Sequence, residues 1–339
     1  MVSDRDRLAG SRPASAAPAG LQGLKRVTLG SALQVVLLVL ALSVMVSTIT
    51  GLDVDQLTAE LRAASWWLVG LAFVAAQTPR FSQALSALGA ATHPLPARPV
   101  YLLQLAQGYV ALAVTTGAAR IAMNVRFFQK QGFTAGAALA KGLIDSFAGF
   151  LVEATMLLGL LVLTPQTLYF DLDAPSLPEW RTVLGLLVVL AVLLAAAAMA
   201  VPDRRRQLRS WATSLAADGH HALRGLASPR RLSLLFGGNL ATLLLFSLTL
   251  GVFAAALGTT VSFADLIVIS ISVSLLAGLL PVPGGIGVVE SGLTFGLVAA
   301  GMPEDAAFAA AVLYRVATFY LPALWGYFAF RTLQRQHYL

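Results

Sequence analysis

Long apolar stretches set the pattern of the chain, falling at roughly 32–50, 65–86, 100–118, 137–164, 182–201, 233–256, 263–280, 286–300 and 306–330. Several approach the roughly 20 residues that a helix needs to cross a hydrocarbon core of about 30 Å. The polar connections between them sort by charge. Segment 51–64 carries Asp53, Asp55 and Glu60 against Arg62, and segment 165–181 carries Asp171, Asp173 and Glu179 against Arg181. Segment 301–305 has Glu304 and Asp305 and no base. By contrast, residues 202–232 hold Arg204, Arg205, Arg206, Arg209, Arg224, Arg230 and Arg231, and the tail adds Arg331 and Arg335. Lys and Arg gather on the cytoplasmic side of membrane proteins, so residues 1–31, the basic loop 202–232 and the tail are expected there, with the acid-rich loops outside.

Sidedness then counts the crossings. From the inside, 32–50 leads out and 65–86 returns. One net crossing fits before the external loop 165–181, and 137–164 supplies it. Residues 100–130 must therefore enter from the cytoplasm, break near Thr115-Thr116-Gly117 and return as a re-entrant hairpin. In the second half, 182–201 goes in and 233–256 goes out. Residues 263–300 must then enter and leave from outside, breaking at Pro281-Val282-Pro283-Gly284-Gly285, before 306–330 returns. The predicted fold is an all-α polytopic membrane protein built as an inverted repeat, with about six full spans and two re-entrant helical hairpins. A cytoplasmic leader, disordered by composition, covers 1–31. The transmembrane domain covers 32–332, with repeat 1 over about 32–164 and repeat 2 over about 182–330. Three net crossings per half force the second copy to be inverted, a plan in which transporters place the substrate where the helix breaks meet. The first apolar run has the length of a signal peptide's core; the repeat needs it as an uncleaved span.

Composition agrees. Of 339 residues, 58% are hydrophobic and 12% charged, with a mean hydropathy of +0.78, whereas soluble domains carry about 25% charged residues. The formal charge of +7 lies in loops beside apolar segments, which suits headgroups and topology rather than nucleic acid. There is no cysteine, which excludes disulfides, thiolate metal sites and cysteine nucleophiles. His93, His220, His221 and His337 lie outside the apolar runs. No cofactor, no metal and no catalytic residue is expected.

The strongest local signal is Pro281-Val-Pro-Gly-Gly-Ile-Gly-Val-Val-Glu290-Ser-Gly292. The prolines stop the incoming helix, and Gly284 and Gly285 permit the positive φ that reverses the chain. Glu290 falls in the first turns of the next helix, where the dipole favours an anion. Its expected partner is Arg315, the only base in the last apolar segment; the pair is either structural or a grip on a lipid phosphate. In the first hairpin, Arg120, Asn124, Phe127 and Gln131 share a helical face, and Arg120 follows the break closely enough to meet an anionic headgroup. Arg126 and Lys130 read as snorkelling to the surface. Lys141, Asp145 and Glu153 form a stripe with Gly149 that cannot face lipid cheaply. Lys141–Asp145 reads as an internal ion pair, with proton relay through Asp145 or Glu153 as the alternative. Gln104, Gly108 and Ala111, and Ser270, Ser274 and Gly278, are small faces for close helix packing. Arg80 reads as an interfacial anchor, with a headgroup contact as the alternative.

The Pro-Gly-Gly turn with Glu290, followed by Ala310-Ala-Val-Leu-Tyr314-Arg315 and Phe319-Tyr320-Leu321-Pro322, resembles the lysylphosphatidylglycerol synthase transmembrane-region family, which includes the flippase half of the multiple peptide resistance factor. The overall pattern extends over about 30–335. The resemblance implies movement of an aminoacylated phospholipid, or a related lipid-linked headgroup, between leaflets. It marks Glu290, Tyr314 and Arg315, and Arg120. Where many relatives carry a Pro-Gly-x-x-Gly-Glu-like first turn, this chain has Thr115-Thr-Gly-Ala-Ala-Arg120 with no acid, which speaks against a cationic headgroup. No soluble aminoacyl-transferase domain is expected within 339 residues, so a separate lipid-modifying synthase would make any aminoacyl lipid; a homo-oligomer stays open. The expected partner is a membrane phospholipid or lipid-linked substrate in the inner cell membrane, with both termini cytoplasmic. Alternatives are an intramembrane enzyme acting on a lipid-linked substrate and a proton-coupled transporter of a small solute.

Overall fold

The computed structural model describes residues 60–91, 94–113, 117–163, 228–279 and 283–339, and every regular element within them is helical. The expected spans 32–50 and 182–201, the loop 165–181 and most of the basic loop 202–232 lie outside the described residues, as do Thr115, Thr116, Pro281 and Val282 at the two expected breaks. The elements are α1 (Trp66–Ala75), α2 (Pro79–Gly89), α3 (Ala97–Ala113), α4 (Gly117–Lys130), α5 (Ala135–Leu163), α6 (Pro229–Ala256), α7 (Phe263–Leu279), a 3₁₀ turn (Pro283–Gly285), α8 (Val288–Ala299) and α9 (Glu304–Arg315). α9 continues through a π-helical segment (Val316–Tyr320) into α10 (Leu321–Arg335).

Three of these are long and apolar enough to cross a membrane: α5, the 28-residue α6, and the 32-residue run Glu304–Arg335. The chain is thus a helical membrane protein. The described parts of the arms α3 and α7 run to 17 residues each and that of α4 to 14, and α8 has 12, against the roughly 20 residues a span requires. The predicted second span, 65–86, is two helices rather than one. Pro79 opens α2 without an N–H, so the backbone ladder stops, and Thr78 Oγ1 donates to the Ala75 carbonyl at 2.7 Å across the joint.

α7 and α8 form an antiparallel hairpin. A methyl group on Gly292 would lie 3.1 Å from Val273, and one on Gly296 would lie 2.8 Å from Ile269, so the register falls along α7 as it climbs along α8. α3 and α4 are joined by Gln107 Nε2 donating to Asn124 Oδ1 at 3.2 Å. Two cores result. One gathers α1, α6, α7, α8 and α9 around Phe253, Ile269 and Leu297. The other gathers α2, α3, α4 and α10 around Leu103, Phe127 and Leu333. α2 and α6 approach so closely that a methyl on Gly238 would lie 2.6 Å from the Ser86 backbone nitrogen. α10 meets α3 the same way, at Gly326 against the Leu105 carbonyl, 2.5 Å. Small residues let dispersion contacts form between backbones where lipid offers no hydrophobic drive. The outward faces are apolar, with Phe147, Phe150, Leu158, Val162, Leu324 and Phe328 exposed, as surfaces beside acyl chains must be.

Candidate functional site

The α7–α8 turn is clamped to the long α9–α10 helix. Gly284 and Gly285 have φ of 64° and 65°, a region that L side chains rarely enter, and a methyl on Gly284 would strike the Phe319 ring at 2.6 Å. Glu290, at the third position of α8, turns back so that its Oε2 accepts the Gly287 N–H at 2.7 Å. Its Oε1 accepts Arg315 Nε at 2.9 Å and the Tyr320 hydroxyl at 3.1 Å. The guanidinium also donates Nη2 to the Gly284 carbonyl at 2.7 Å and lies 4.2 Å from the centroid of the Phe319 ring. Glu290 is 5% exposed and Arg315 7%, so both charges are neutralised internally. Removing one partner would strand the other.

The π-helical segment has a readable cause. Leu321 N–H bonds to Val316, five residues back, so the Ala317 carbonyl loses its ordinary partner. Pro322 has no N–H to offer either Ala317 or Thr318. Both carbonyls are instead capped from the α1–α2 joint: Gln77 Nε2 donates to Ala317 at 3.1 Å and Arg80 Nη2 donates to Thr318 at 3.1 Å. Two helix interruptions therefore meet, and side chains of the first satisfy the bare carbonyls of the second, as apolar surroundings require. Arg80 is half-buried and spends Nη1 on Gln83 Oε1 at 3.0 Å; it is built into the helix contacts rather than free at an interface.

Arg120 lies one turn into α4, with its side chain exposed. It is near enough to Arg80 to act on it electrostatically, and so are Tyr101 and Tyr314. Tyr314 is buried, its ring edge-on to Phe246 at 6.4 Å. Arg126 and Lys130 are exposed, Phe127 is fully buried and Asn124 holds Gln107. The stripe on α5 faces inward but is divided among neighbours. Lys141 is buried with its ammonium 4.3 Å from the centroid of the Phe128 ring. Asp145 accepts Asn239 Nδ2 at 3.3 Å, and Glu153 accepts Ser274 Oγ at 3.3 Å. A methyl on Gly149 would lie 2.9 Å from Asn239 Oδ1. Lys141 and Asp145 thus each contact a different neighbour, one from α4 and one from α6, while Asp145 still acts electrostatically on the Lys141 ammonium.

The structure brings Gly284, Gly285, Glu290 and Arg315 into one unit, while no contact among the described residues joins Arg120 to it. Lys141, Asp145 and Glu153 are strung along α5 instead. Sequence reasoning passed over Gln77, read Arg80 as an interfacial anchor and gave Tyr320 no role beyond its place in the Phe-Tyr-Leu-Pro motif. The signals were present in Pro79 and Pro322, each inside an apolar run, because a proline at depth demands side-chain donors for the carbonyls it leaves bare. Of the small faces, Ser270 accepts Ser247 Oγ at 3.1 Å, while nothing approaches the missing Cβ of Gly278. Among the described residues, the buried oxygens Gln77 Oε1 and Ser291 Oγ have no hydrogen-bond partner. Among the described residues, no group of three or more His, Asp or Glu could hold a metal ion.

A sequence model of the family described as "Lysylphosphatidylglycerol synthase TM region" matches residues 31–326. No curated protein matches the chain.

Proposed function

The chain belongs to the lysylphosphatidylglycerol synthase transmembrane-region family, whose name ties it to membrane lipid, and from that premise we propose that it carries a phospholipid or lipid-linked headgroup between leaflets of the cell membrane. The observation that carries this reading is the clamp. The tip of a helical hairpin too short to span is held by Glu290, Arg315 and Tyr320 against a long helix that is itself interrupted at the same level of its sequence. Non-helical backbone is tolerated at membrane depth only where protein or a polar cavity satisfies it. Transporters use such paired interruptions to offer polar groups to a substrate halfway across.

The packing supports an inverted repeat. If α2, α3, α4 and α5 of the first half exchange with α6, α7, α8 and α9–α10 of the second, several neighbouring pairs map onto other pairs that also pack, although the contact of α5 with α6 has no such counterpart. The contact of α3 with α10 becomes that of α7 with α5. Likewise α2–α3 becomes α6–α7, α4–α5 becomes α8–α9, and α2–α6 returns to itself. A scaffold that is the same from either face can open to either leaflet. We assign no bond-making step to the chain, and an aminoacylated substrate would come from a separate lipid-modifying enzyme.

Purified protein in liposomes with a fluorescent phosphatidylglycerol tests this directly. Addition of an impermeant quencher is expected to bleach well over half of the label, at a rate that rises with protein density. Bleaching that stops at the outer leaflet, for phosphatidylglycerol and for every other phospholipid class tried, would refute transport.

A further inference from the structure

Two helical paths, α1–α2 and α9–α10, run from one hydrophobic core to the other, and each is interrupted where it crosses. The core around Phe253, Ile269 and Leu297 takes Val69, Ala72 and Ala76 from the first path, and Ala306 through to Ala317 from the second. The core around Leu103, Phe127 and Leu333 takes Ala84 and Ala87 from the first path, and Ala329 and Leu333 from the second. No buried residue belongs to both. The crossings are therefore residues 77–83 and 318–328. Pro79 lies in one, and the end of the π-helical segment with Pro322 lies in the other.

Bending at these crossings breaks few bonds, because the regular ladder is already open there. Pro79 and Pro322 offer no N–H, and the carbonyls of Ala317 and Thr318 are held by side chains. A backbone donor has one fixed place along a helix, whereas a glutamine or arginine follows its acceptor by rotating about its own bonds. Gln77 stays with α1, its Nε2 also donating to the Phe73 carbonyl at 3.0 Å, and its Oε1 has no partner among the described residues to pin it. Arg80 stays with α2 through Gln83. The two caps can thus keep the bared carbonyls satisfied while the angle between the cores changes, as apolar surroundings demand at every stage of a motion. α6 also touches both sides. Its first half meets α2, where Gly238 lies against Ser86, and its second half enters the first core at Leu250 and Phe253. Between them Thr242 Oγ1 donates back to the Gly238 carbonyl at 2.8 Å, a bond that loosens and bends helices.

We propose that the Pro79 joint and the π-helical segment with Pro322 form one paired hinge, about which the core of α2, α3, α4 and α10 rocks against the core of α1, α7, α8 and α9, with Gln77 and Arg80 as sliding caps. The hinge rests on the lipid-carrying reading above for its purpose alone, which is to turn the headgroup path toward one leaflet and then the other. α10 has 15 residues, about 22 Å at about 1.5 Å each. A bend of about 20° at Pro322 therefore carries its far end by about 8 Å.

Distances between pairs of spin labels, measured on the full chain in lipid nanodiscs, test the hinge without requiring transport. The chain has no native cysteine, so each label sits only where a cysteine is introduced. Phe295→Cys with Gln334→Cys spans the two cores. Val74→Cys with Phe295→Cys stays on one side and Ile121→Cys with Gln334→Cys on the other; all four positions are exposed. The spanning pair is expected to give distances spread over about 5–8 Å, and each pair within a core a single narrow maximum. Pro79→Ala combined with Pro322→Ala, which restores both N–H groups, is expected to collapse the spread to one narrow maximum and to slow lipid exchange. Pro322→Ala alone, which only adds a backbone donor, carries the test if the double variant does not fold. A spanning pair as narrow as the other two overturns the proposal. So does a spread that the proline substitutions leave unchanged, which would put the bending elsewhere. A proline-dependent spread in a protein that moves no lipid between leaflets would uphold the hinge and retire the transport reading alone.

Discussion

At the scale of single residues, burial decides what the loss of either Glu290 or Arg315 costs. A buried ion pair contributes little net stability when intact, because desolvation offsets attraction, yet its halves cannot be removed singly without a penalty of about 3–5 kcal/mol. Arg315→Met would leave a buried carboxylate with only the Tyr320 hydroxyl and the Gly287 N–H, and would strip the Gly284 carbonyl of its donor. The expected loss in denaturant unfolding in detergent is about 3 kcal/mol or more. Adding Glu290→Gln should return a large part of it, giving a coupling energy above about 1 kcal/mol. Additive effects of the two substitutions would show that the charges do not depend on each other. This pair was legible in the sequence because a Pro-Gly-Gly turn, an acid and a lone membrane base leave few other pairings. The third member, Tyr320, was not: nothing in Phe-Tyr-Leu-Pro tells which phenol reaches a residue 30 positions away. Lys141 and Asp145 mark the same limit from the other side. Helical spacing placed them together, but the packing of α4 and α6 against α5 gave each a separate neighbour.

At the scale of the element, proline explains the departures from simple spans. Apolar periodicity located 137–164, 233–256 and 306–330 within a few residues of α5, α6 and α9–α10. It could not show that 65–86 is jointed at Pro79, because a hydropathy window does not see a missing N–H. Nor could it show that Pro322 and the π-helical turn bare the carbonyls of Ala317 and Thr318, which the α1–α2 joint then caps. Gln77→Leu should therefore cost about 1–3 kcal/mol, the penalty for an unmet buried carbonyl. In a Pro322→Ala background, whose restored N–H can reach Ala317 or Thr318, the same substitution should cost less. Unfolding midpoints of the two pairs of variants measure the difference. An equal cost in both backgrounds would mean that Gln77 acts through packing rather than through the Ala317 carbonyl.

At the scale of the molecule, the transport proposal rests on one claim: the two helical hairpins enter the bilayer from opposite faces. In the sequence, the charge pattern of the loops carries the expectation of sidedness. The close backbone contacts at Gly238 and Gly326 were not readable there, since a glycine in an apolar run gives no hint of what it touches. The chain contains no native cysteine, so single cysteines report position without background. The most direct test places one at Gln129, exposed at the end of α4, and one at Glu304, exposed at the start of α9. Each is then labelled with an impermeant maleimide from one side of sealed membranes at a time. Opposing hairpins predict that position 129 reacts only from the cytoplasm and position 304 only from outside; labelling of both from the same side would contradict the inverted arrangement and the lipid path built on it.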